Sequence, residues 1–585
     1  MQGLQEWWNG LGPNTKNLIV TIVGGVAVVI ICGLWVWFRN SLIASRCKRA
    51  KAPPRDEVTD KETHGASAPS SLIPRPPLVG FVPRHDADGR KLVELLKTEL
   101  AAGRHQLVTL SGLGGVGKTI VAAEAARVLH NAYSRRLVWS DVAARAGYTL
   151  STLLDDIATQ LDRADLRTRA PEAKETEVRA LVADSPCLIV VDNYETIAVA
   201  QQPPIQAWFQ RARCAVLFTS RQKIDKTLNI VLSAMRHKEV EELLTRLIKQ
   251  TQDRQLFSAK VRQRIYETAE ANPFLIEWLV AQIAQAREPR TVLAELAQGE
   301  GDAAARVFDR SFNLPEVGDD GRAALLALSL FVPSASRRAL AEVAGFGDDE
   351  RRLSAAVKNL RALWLIKGLN ENSRFTVEGV TRGLAGARLA KDPRAAEFRQ
   401  RYVTYFTDYA EAHTEPTREA YDARQAELDN LLRAVDVAAA TEDWPCLHRL
   451  VNALAVPPDG MLILCGYWNQ TLRLEELELT AARASRWEEV IAVWAHDAAT
   501  MYQRRGELTE VRRLYEESLE IRQKLGDQRG IANSLHQLGL LAEAEGDKAE
   551  AARLLREALD IFERLKAPYA EIARRNLARV EGQAE

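Results

Sequence analysis

The segment Gly112–Thr119, which reads GLGGVGKT, restricts the fold of this chain more than any other feature. It fits the pattern G-x-x-x-x-G-K-[ST] in full, and the apolar run His105–Ser111 precedes it while an amphipathic run that begins at Lys118 follows it. A glycine-rich loop between a strand and a helix lets backbone N–H groups surround phosphate groups at the positive end of the helix. The pattern therefore predicts a parallel α/β domain with a phosphate-binding loop.

Each residue type in this loop has an expected role at the phosphates of ATP or ADP. We expect Lys118 to reach the β- and γ-phosphates and the Thr119 hydroxyl to bind Mg²⁺. The residues of the loop that are predicted to bind the nucleotide are Gly112, Gly114, Gly115, Val116, Gly117, Lys118, Thr119 and Ile120.

Two further apolar segments supply candidate catalytic residues. CLIVVDNYE, at Cys187–Glu195, is typical of a buried parallel strand, and Asp192 at its end is expected to hold Mg²⁺ together with Thr119. CAVLFTSR ends at Arg221, which is placed to contact the γ-phosphate. Strands that alternate with helices between residues 136 and 192 support a parallel sheet.

Five motifs occur in a fixed order along residues 76–390. They are LVGFVPR (Leu78–Arg84), GLGGVGKT, LLDDIATQL (Leu153–Leu161), LFTSR (Leu217–Arg221) and ANPFLIEWL (Ala271–Leu279). Taken together, they resemble the NB-ARC branch of the STAND NTPases, the nucleotide switches of plant immune receptors, apoptosome proteins and many bacterial regulators.

This resemblance implies an adenine site and a switching cycle. In the family, the counterparts of Val79 and Arg84 line the adenine and the counterpart of Pro273 touches the base. Ala271 stands where relatives carry glycine. The resemblance also implies that exchange of ADP for ATP leads to homo-oligomers.

Two departures from the family pattern affect the expected chemistry. Asn193 occupies the place of a second acid that polarises the attacking water, and an amide cannot act as a general base. Glu195 is the candidate substitute, so we expect a slow ATPase. Glu378 stands where relatives often carry a histidine that holds the ADP β-phosphate, and Arg382 is a candidate to compensate.

The remainder of the chain is predicted to be mainly helical. KGLNENSRFTV, within residues 303–392, predicts a short hairpin after helices and resembles a winged helix. QRRGELTEVRRLYEESLEIRQKLGD matches EAEGDKAEAARLLREALDIFERLKA further along the chain, with Gly506 aligned to Gly546. The match resembles tetratricopeptide repeats, whose concave face binds a protein or peptide.

Residues 18–38, LIVTIVGGVAVVIICGLWVWF, predict a single transmembrane helix, since no charge occurs between Lys16 and Arg39. Basic residues follow the segment, with no acid before Asp56. The positive-inside rule then places the N-terminus outside and the bulk of the chain in the cytoplasm. The expected location is a bacterial inner membrane.

The predicted fold is an α/β P-loop NTPase domain followed by a helical lid, a winged helix and an all-α tetratricopeptide solenoid, behind one N-terminal transmembrane helix. The predicted domains are 1–39 (tail and transmembrane helix), 40–75 (flexible tether), 76–225 (P-loop nucleotide-binding domain), 226–302 (helical lid), 303–392 (winged-helix-like domain) and 393–585 (helical and tetratricopeptide repeat domain).

The predicted function is a membrane-anchored ATP/ADP switch that senses a partner through its repeats and acts in bacterial defence or regulation. Two alternatives stay open: a tethered interaction scaffold with a structural nucleotide, and a tethered transcription regulator that uses the winged helix. The 78 basic and 78 acidic residues give a net charge of zero, which argues against generic nucleic-acid binding. Six scattered cysteines argue against a disulfide scaffold.

Overall fold

The computed structural model describes residues 73–582 apart from 75, 78, 102–105, 143–144, 146, 287, 299–302, 370–372, 416, 456–460 and 506–507. The predicted transmembrane segment at 18–38 and almost all of the tether lie outside the described residues. Within the part of the chain that is described, no helix is both long and apolar enough to cross a membrane. Two compact units are distinguished, one that ends at Leu525 and one that begins at Gly526.

A five-stranded parallel sheet forms the centre of the nucleotide-binding domain, in the strand order β2-β3-β4-β1-β5. Its strands are β1 (Leu107–Ser111), β2 (Leu137–Asp141), β3 (Leu188–Asp192), β4 (Ala215–Ser220) and β5 (Leu228–Val231). Because β5 pairs with β1, the sheet continues past residue 225, where the sequence had placed the start of the helical lid.

Alternate residues of the strands face two separate apolar cores, as the period of two in a strand requires. Val108 and Val190 belong to the core beneath α1 and α2, whereas Ile189 and Val216 belong to the core beneath α3, α4 and α5. The covering helices are α1 (Leu92–Glu99), α2 (Lys118–Leu129), α3 (Leu150–Gln160), α4 (Pro171–Asp184) and α5 (Gln202–Arg211).

Helices follow the sheet, and a segment of helices with a small antiparallel sheet follows them. The segment predicted as the lid contains α6 (His237–Ile248), α7 (Ala259–Thr268), α8 (Pro273–Ala286) and α9 (Pro289–Gln298), and α10 (Ala303–Asn313) comes next. The segment predicted as a winged helix contains α11 (Gly318–Leu328), β6 (Ala335–Ser336), α12 (Arg337–Ala344), α13 (Glu350–Ala362), β7 (Lys367–Leu369), β8 (Arg374–Thr376) and α14 (Gly379–Leu389). The hairpin of β7 and β8 agrees with the predicted one, and β6 adds a third antiparallel strand.

The rest of the first unit is helical. Its helices are α15 (Ala395–Ala412), α16 (Arg418–Ala426), α17 (Leu428–Ala440), α18 (Trp444–Ala455), α19 (Met461–Leu464), α20 (Trp468–Ser485), α21 (Glu488–Arg505) and α22 (Leu508–Leu525).

The second unit contains α23 (Gln528–Ala544), α24 (Lys548–Arg564) and α25 (Ala570–Val580). Gly539 lets α23 and α24 approach closely, since a Cβ there would lie 2.8 Å from Leu555 Cγ.

The helices repeat along the chain with the same spacing as the sequence motif. α21 begins at Glu488 and α23 at Gln528, while α22 begins at Leu508 and α24 at Lys548. In each pair, the two helix starts are separated by the same number of residues as Gly506 and Gly546 in the two matching sequence segments. The repeat found in the sequence is therefore also the repeat of the helices.

Candidate functional site

The phosphate-binding loop joins the end of β1 to the start of α2, as predicted from the motif. A Cβ on Gly112 would lie 2.4 Å from the carbonyl oxygen of Leu232, which follows β5, so any larger residue would collide with the backbone. Gly115 adopts a φ of +74°, a conformation that favours glycine. The geometry thus explains why the loop needs glycine at these two positions.

Lys118 is buried and folds back on the loop that precedes it. Its Nζ donates to the carbonyl oxygens of Gly112, at 2.9 Å, and Leu113, at 3.0 Å. Burial lowers the pKa of the Lys118 ammonium, and the neighbouring Glu195 carboxylate opposes that effect. The ammonium therefore lies in the loop where it was predicted to meet phosphate.

Asp192 lies fully buried at the end of β3. Its Oδ1 accepts a hydrogen bond from Thr119 Oγ1 at 3.0 Å and a shorter one from Thr219 Oγ1. Burial is the main cause that raises the pKa of Asp192, and with the negative charge of Asp141 it brings the pKa to about 7. The two residues predicted to hold Mg²⁺, Thr119 and Asp192, are thus brought together.

Glu195 and Arg221 also meet beside this carboxylate. Arg221 Nε lies 3.3 Å from Glu195 Oε1, and the Arg221 side chain is 64% exposed. Glu195 Oε2 is buried and has no hydrogen-bond partner among the described residues. Asn193 instead turns its amide towards Asp141, with Nδ2 3.0 Å from Oδ1. Glu195 therefore presents a carboxylate oxygen without a hydrogen bond among the described residues, whereas Asn193 offers only an amide.

Arg84 is buried and connects the phosphate-binding loop to the lid through its hydrogen bonds. Its Nη1 donates to the Val116 carbonyl at 2.7 Å, its Nη2 to the Ser233 carbonyl at 2.6 Å, and its Nε to Glu239 Oε2 at 3.1 Å. Burial lowers the pKa of Arg84, and Glu239 opposes that effect. All these bonds run to the protein itself, so the guanidinium fixes the shape of the loop.

The other predicted nucleotide-binding residues surround the same loop. A Cβ on Gly117 would lie 3.9 Å from Pro273 Cγ, at the start of α8. The Val79 carbonyl accepts a hydrogen bond from Arg246 Nη1 at 3.2 Å. Ile120 is half-buried in the first turn of α2. Pro273 therefore borders the loop, whereas the resolved contact of Val79 is with the lid helix α6.

Asn272 and Thr219 belong to the site although the sequence assigned them no role. Asn272 Nδ2 donates to the Gly114 carbonyl at 3.0 Å, and its Oδ1 accepts from Phe274 N at 3.1 Å. Thr219 accepts a hydrogen bond from the Asn193 backbone N–H at 2.9 Å. Asn272 lies in the motif ANPFLIEWL and Thr219 in the motif LFTSR. Membership of these motifs was the only feature of the sequence that pointed to them.

The winged helix reaches the phosphate-binding loop through α14. A Cβ on Gly114 would lie 3.9 Å from Val380 Cγ2, in the first turn of that helix. Glu378, which precedes α14, forms an ion pair with Lys367 of β7. Burial raises the pKa of Glu277 to about 7; the positive charge of Lys367 lowers it and the negative charge of Glu378 raises it. Glu378, which stands where relatives often carry a histidine, therefore belongs to a cluster of charged residues with Glu277 and Lys367.

These residues fit a nucleotide with Mg²⁺. The loop glycines leave room for phosphate, Lys118 offers a buried cation, and the paired oxygens of Thr119 and Asp192 are the hard ligands that Mg²⁺ prefers. The residues that would hold the group are the loop, Thr119 and Asp192, and bound Mg²⁺ would supply charge neutralisation at the phosphates.

Two segments of the chain match known families. Residues 89–266 match the NB-ARC domain and residues 490–564 match the tetratricopeptide repeat. The chain thus contains an NB-ARC-type P-loop nucleotide-binding domain and C-terminal tetratricopeptide repeats, which confirms those two parts of the predicted fold. The NB-ARC match also supports ATP hydrolysis as the chemistry of the site. No curated protein matches the chain.

Two solved structures show weak similarity. One is a Signal Transduction ATPase with Numerous Domains (STAND) protein with a tetratricopeptide repeat sensor from Pyrococcus horikoshii, at 13% identity and a TM-score of 0.40, which covers 86% of this chain and 81% of that chain. The other is BtubC from P. vanneervenii, at 16% identity and a TM-score of 0.21, which covers 32% of this chain and 85% of that chain. Scores this low do not establish a shared arrangement of domains.

Proposed function

We propose that this protein is a nucleotide-dependent signalling switch of the STAND type, which binds ATP and ADP with Mg²⁺. The observation that carries the proposal is the contact of two different modules with one glycine of the phosphate-binding loop. Asn272, beside the lid helix α8, bonds to Gly114, and Val380 of the winged helix approaches the same residue, where a Cβ would lie 3.9 Å from Val380 Cγ2. A change in the phosphates at this loop would alter the contacts of both modules.

Nucleotide binding is tested on the purified full chain with a fluorescent ADP analogue. Lys118→Ala removes the loop cation, and we expect affinity to fall at least tenfold because a charge-assisted contact to phosphate is lost. The matched control is Lys97→Ala, an exposed lysine of α1 that pairs with Glu94. Equal affinities for the Lys118→Ala variant and the control would contradict the proposed site.

Hydrolysis at this site is proposed to be slow, in keeping with a switch. Asn193 cannot accept a proton, and Glu195 is the carboxylate that remains to orient water. Glu195→Gln is expected to lower the single-turnover hydrolysis rate while nucleotide affinity is kept. Asn193→Asp, which provides a second acid, is expected to raise that rate. Unchanged rates in both variants would rule out this assignment.

The repeats are proposed to sense a protein or peptide partner, and nucleotide exchange is proposed to lead to homo-oligomers in a bacterial defence or regulatory response. The repeat match between residues 490 and 564 supports the sensor role. Mass photometry of the full chain with ADP or a non-hydrolysable ATP analogue tests assembly. Signalling in cells that is unchanged by Lys118→Ala would favour the scaffold alternative, in which the nucleotide is only structural.

The proposed location is a bacterial inner membrane, with the N-terminus outside and the bulk of the chain in the cytoplasm. The support is the charge-free segment at 18–38 and the bases that follow it. Extraction with alkaline carbonate and protease protection of a tag at each end test the location. Release of the intact chain by carbonate would contradict the anchor, and protection of the opposite end would contradict the orientation.

A further inference from the structure

A cavity with both polar and apolar lining lies where the nucleotide-binding domain, the winged helix and α17 meet. It has a volume of about 250 Å³. Val142 and Thr196 of the nucleotide-binding domain line one side, and residues that follow α11 in the winged helix line another. Three arginines complete the lining, namely Arg145, Arg382 and Arg433. Neither the loop residues 112–119 nor Asp192 is among the lining residues.

The three arginines differ in their partners. Arg145 forms an ion pair with Asp156, in which Arg145 Nη1 lies 2.6 Å from Asp156 Oδ2. Arg382 donates only to backbone carbonyls, with Nη2 2.9 Å from the Pro333 oxygen, and its buried Nε has no hydrogen-bond partner within the described chain. Arg433, on α17, makes no hydrogen bond or ion pair with the residues that the structure describes. Two guanidinium groups therefore line the cavity without a carboxylate bound to either.

Arg382 is buried and lies near charges of both signs. Burial lowers the pKa of Arg382, the carboxylates of Asp141 and Glu378 raise it, and the charge of Arg433 has the smallest of these effects and lowers it. Asp141 itself accepts a hydrogen bond from Asn193. Neighbouring like charges repel, and a buried N–H without a partner costs free energy. Both costs would fall if an anion with several oxygens lay between the guanidinium groups.

We propose that this cavity binds a small phosphate-bearing anion, held by Arg382 and Arg433. A guanidinium group presents its N–H donors in a planar fork that matches two phosphate oxygens, so two such groups can share one tetrahedral anion. The volume accommodates a phosphate ion or a small phosphorylated metabolite.

The cavity would bind a second ligand, in addition to the nucleotide. This proposal does not depend on the proposed nucleotide switch. Its two arginines come from different elements, α14 of the winged helix and α17, and the nucleotide-binding domain forms the third wall. A ligand held between elements stabilises the arrangement to which it binds. The anion is therefore expected to hold α14 against the nucleotide-binding domain and to slow release of bound nucleotide.

The test is calorimetric titration of inorganic phosphate into the full chain, saturated with ADP, at constant ionic strength. Arg433→Gln and Arg382→Gln are each expected to weaken phosphate binding at least tenfold. Arg361→Gln, which removes an exposed arginine of α13, is the control and should bind as the wild type does. A parallel titration with glycerol 3-phosphate shows whether an organic phosphate binds more tightly than the free ion.

A second measurement uses the unmodified chain, in case a variant does not fold. Phenylglyoxal labels accessible arginines, and phosphate is expected to protect Arg433 at least threefold while the labelling of Arg361 is unchanged. Absence of phosphate binding by the wild type would overturn the proposal. Phosphate binding that is unchanged by both Arg433→Gln and Arg382→Gln would also overturn it, as would equal labelling of Arg433 with and without phosphate.

Discussion

Charged side chains have different structural roles in the nucleotide-binding domain and in the unit that begins at Gly526. In the first, some ion pairs are buried and join distant segments, as Arg84 does to Glu239, 155 residues away. In the second, the ion pairs lie on the surface, as does that of Arg553, which is 57% exposed and pairs with Glu550 and Glu557 of its own helix, α24. Other surface pairs of this unit join neighbouring helices, as Arg574 does to Glu563. The apolar packing of α23 and α24 holds the second unit together. The same kind of substitution should therefore have unequal effects in the two regions.

The largest effect is expected for Arg84→Ala. The change removes the guanidinium from the buried Glu239 carboxylate, which keeps hydrogen bonds from the backbone N–H groups of His85 and Arg236. We therefore expect a loss of about 3 kcal/mol, the lower end of the cost of breaking a buried pair. The measurement is pulse proteolysis of the full chain in urea, with fragments of residues 89–266 followed by mass spectrometry. The control is Arg90→Ala, whose side chain is 61% exposed. If Arg84→Ala and Arg90→Ala lowered the free energy of unfolding by the same small amount, the buried Arg84–Glu239 pair would not stabilise the domain as described.

The next largest effect is expected for Gly539→Ala in α23. The added methyl group would lie 2.8 Å from Leu555 Cγ, and overpacking of this kind costs about 1–3 kcal/mol. The same proteolysis assay, applied to fragments of residues 526–582, measures it. A matched control is Gly526→Ala, which meets no atom within 4 Å, although its φ of +73° adds backbone strain. A higher free energy of unfolding for Gly539→Ala than for the wild type would show that α23 and α24 are less tightly packed than described.

A smaller effect is expected for the pH dependence of Mg²⁺ binding with ADP. The pKa of Asp192 is raised to about 7, so below pH 7 the folded protein holds a proton that Mg²⁺ must displace. Affinity should therefore fall by up to about tenfold per unit as pH decreases from 7 to 6. Calorimetry in buffers of different ionisation enthalpy counts the released proton. Binding that releases no proton at pH 6.5 would contradict the raised pKa.

The same raised pKa affects stability in the absence of nucleotide. The folded state binds the Asp192 proton more tightly than the unfolded state does, so this group stabilises the protein at low pH. That contribution is lost as pH rises through the folded pKa of about 7. Asp192→Asn should therefore reduce the dependence of unfolding on pH between about 4 and 7.

The smallest effect is expected for Arg553→Gln on α24. Its ion pairs with Glu550 and Glu557 are exposed, and such pairs contribute about 0–0.5 kcal/mol at moderate salt. Urea unfolding with and without 0.5 M salt should differ little between the variant and the wild type. A loss above about 1 kcal/mol would remove the contrast between the two regions.

The sequence predicted the parts of the site that follow from a local motif. The loop at Gly112–Thr119 requires glycine for phosphate contact, and Asp192 ends an apolar strand, so both could be placed without a structure. Asn272 was missed as a loop contact because nothing in ANPFLIEWL shows that its side chain reaches back to Gly114. The strand β5 was missed because its four residues, LNIV, give too short a pattern.

Contacts between distant segments could not be predicted from patterns. The replacement of the family histidine by Glu378 was visible in the sequence, but its ion pair with Lys367 was not. Arg382 and Arg433 lie in different helices without a shared motif, so the cavity they line became visible only in three dimensions. The spacing of the repeats was predictable because each repeat carries the same local pattern of apolar residues and turn glycine.

The most direct test of the switch is hydrogen exchange in α14, Gly379–Leu389, of the full chain loaded with ADP or with a non-hydrolysable ATP analogue. Because Val380 lies against the phosphate-binding loop, we expect the ATP analogue to increase deuterium uptake in this helix relative to ADP. Lys118→Ala should abolish the difference. Equal uptake in the two states, with both nucleotides demonstrably bound, would contradict the proposal that nucleotide controls the winged helix.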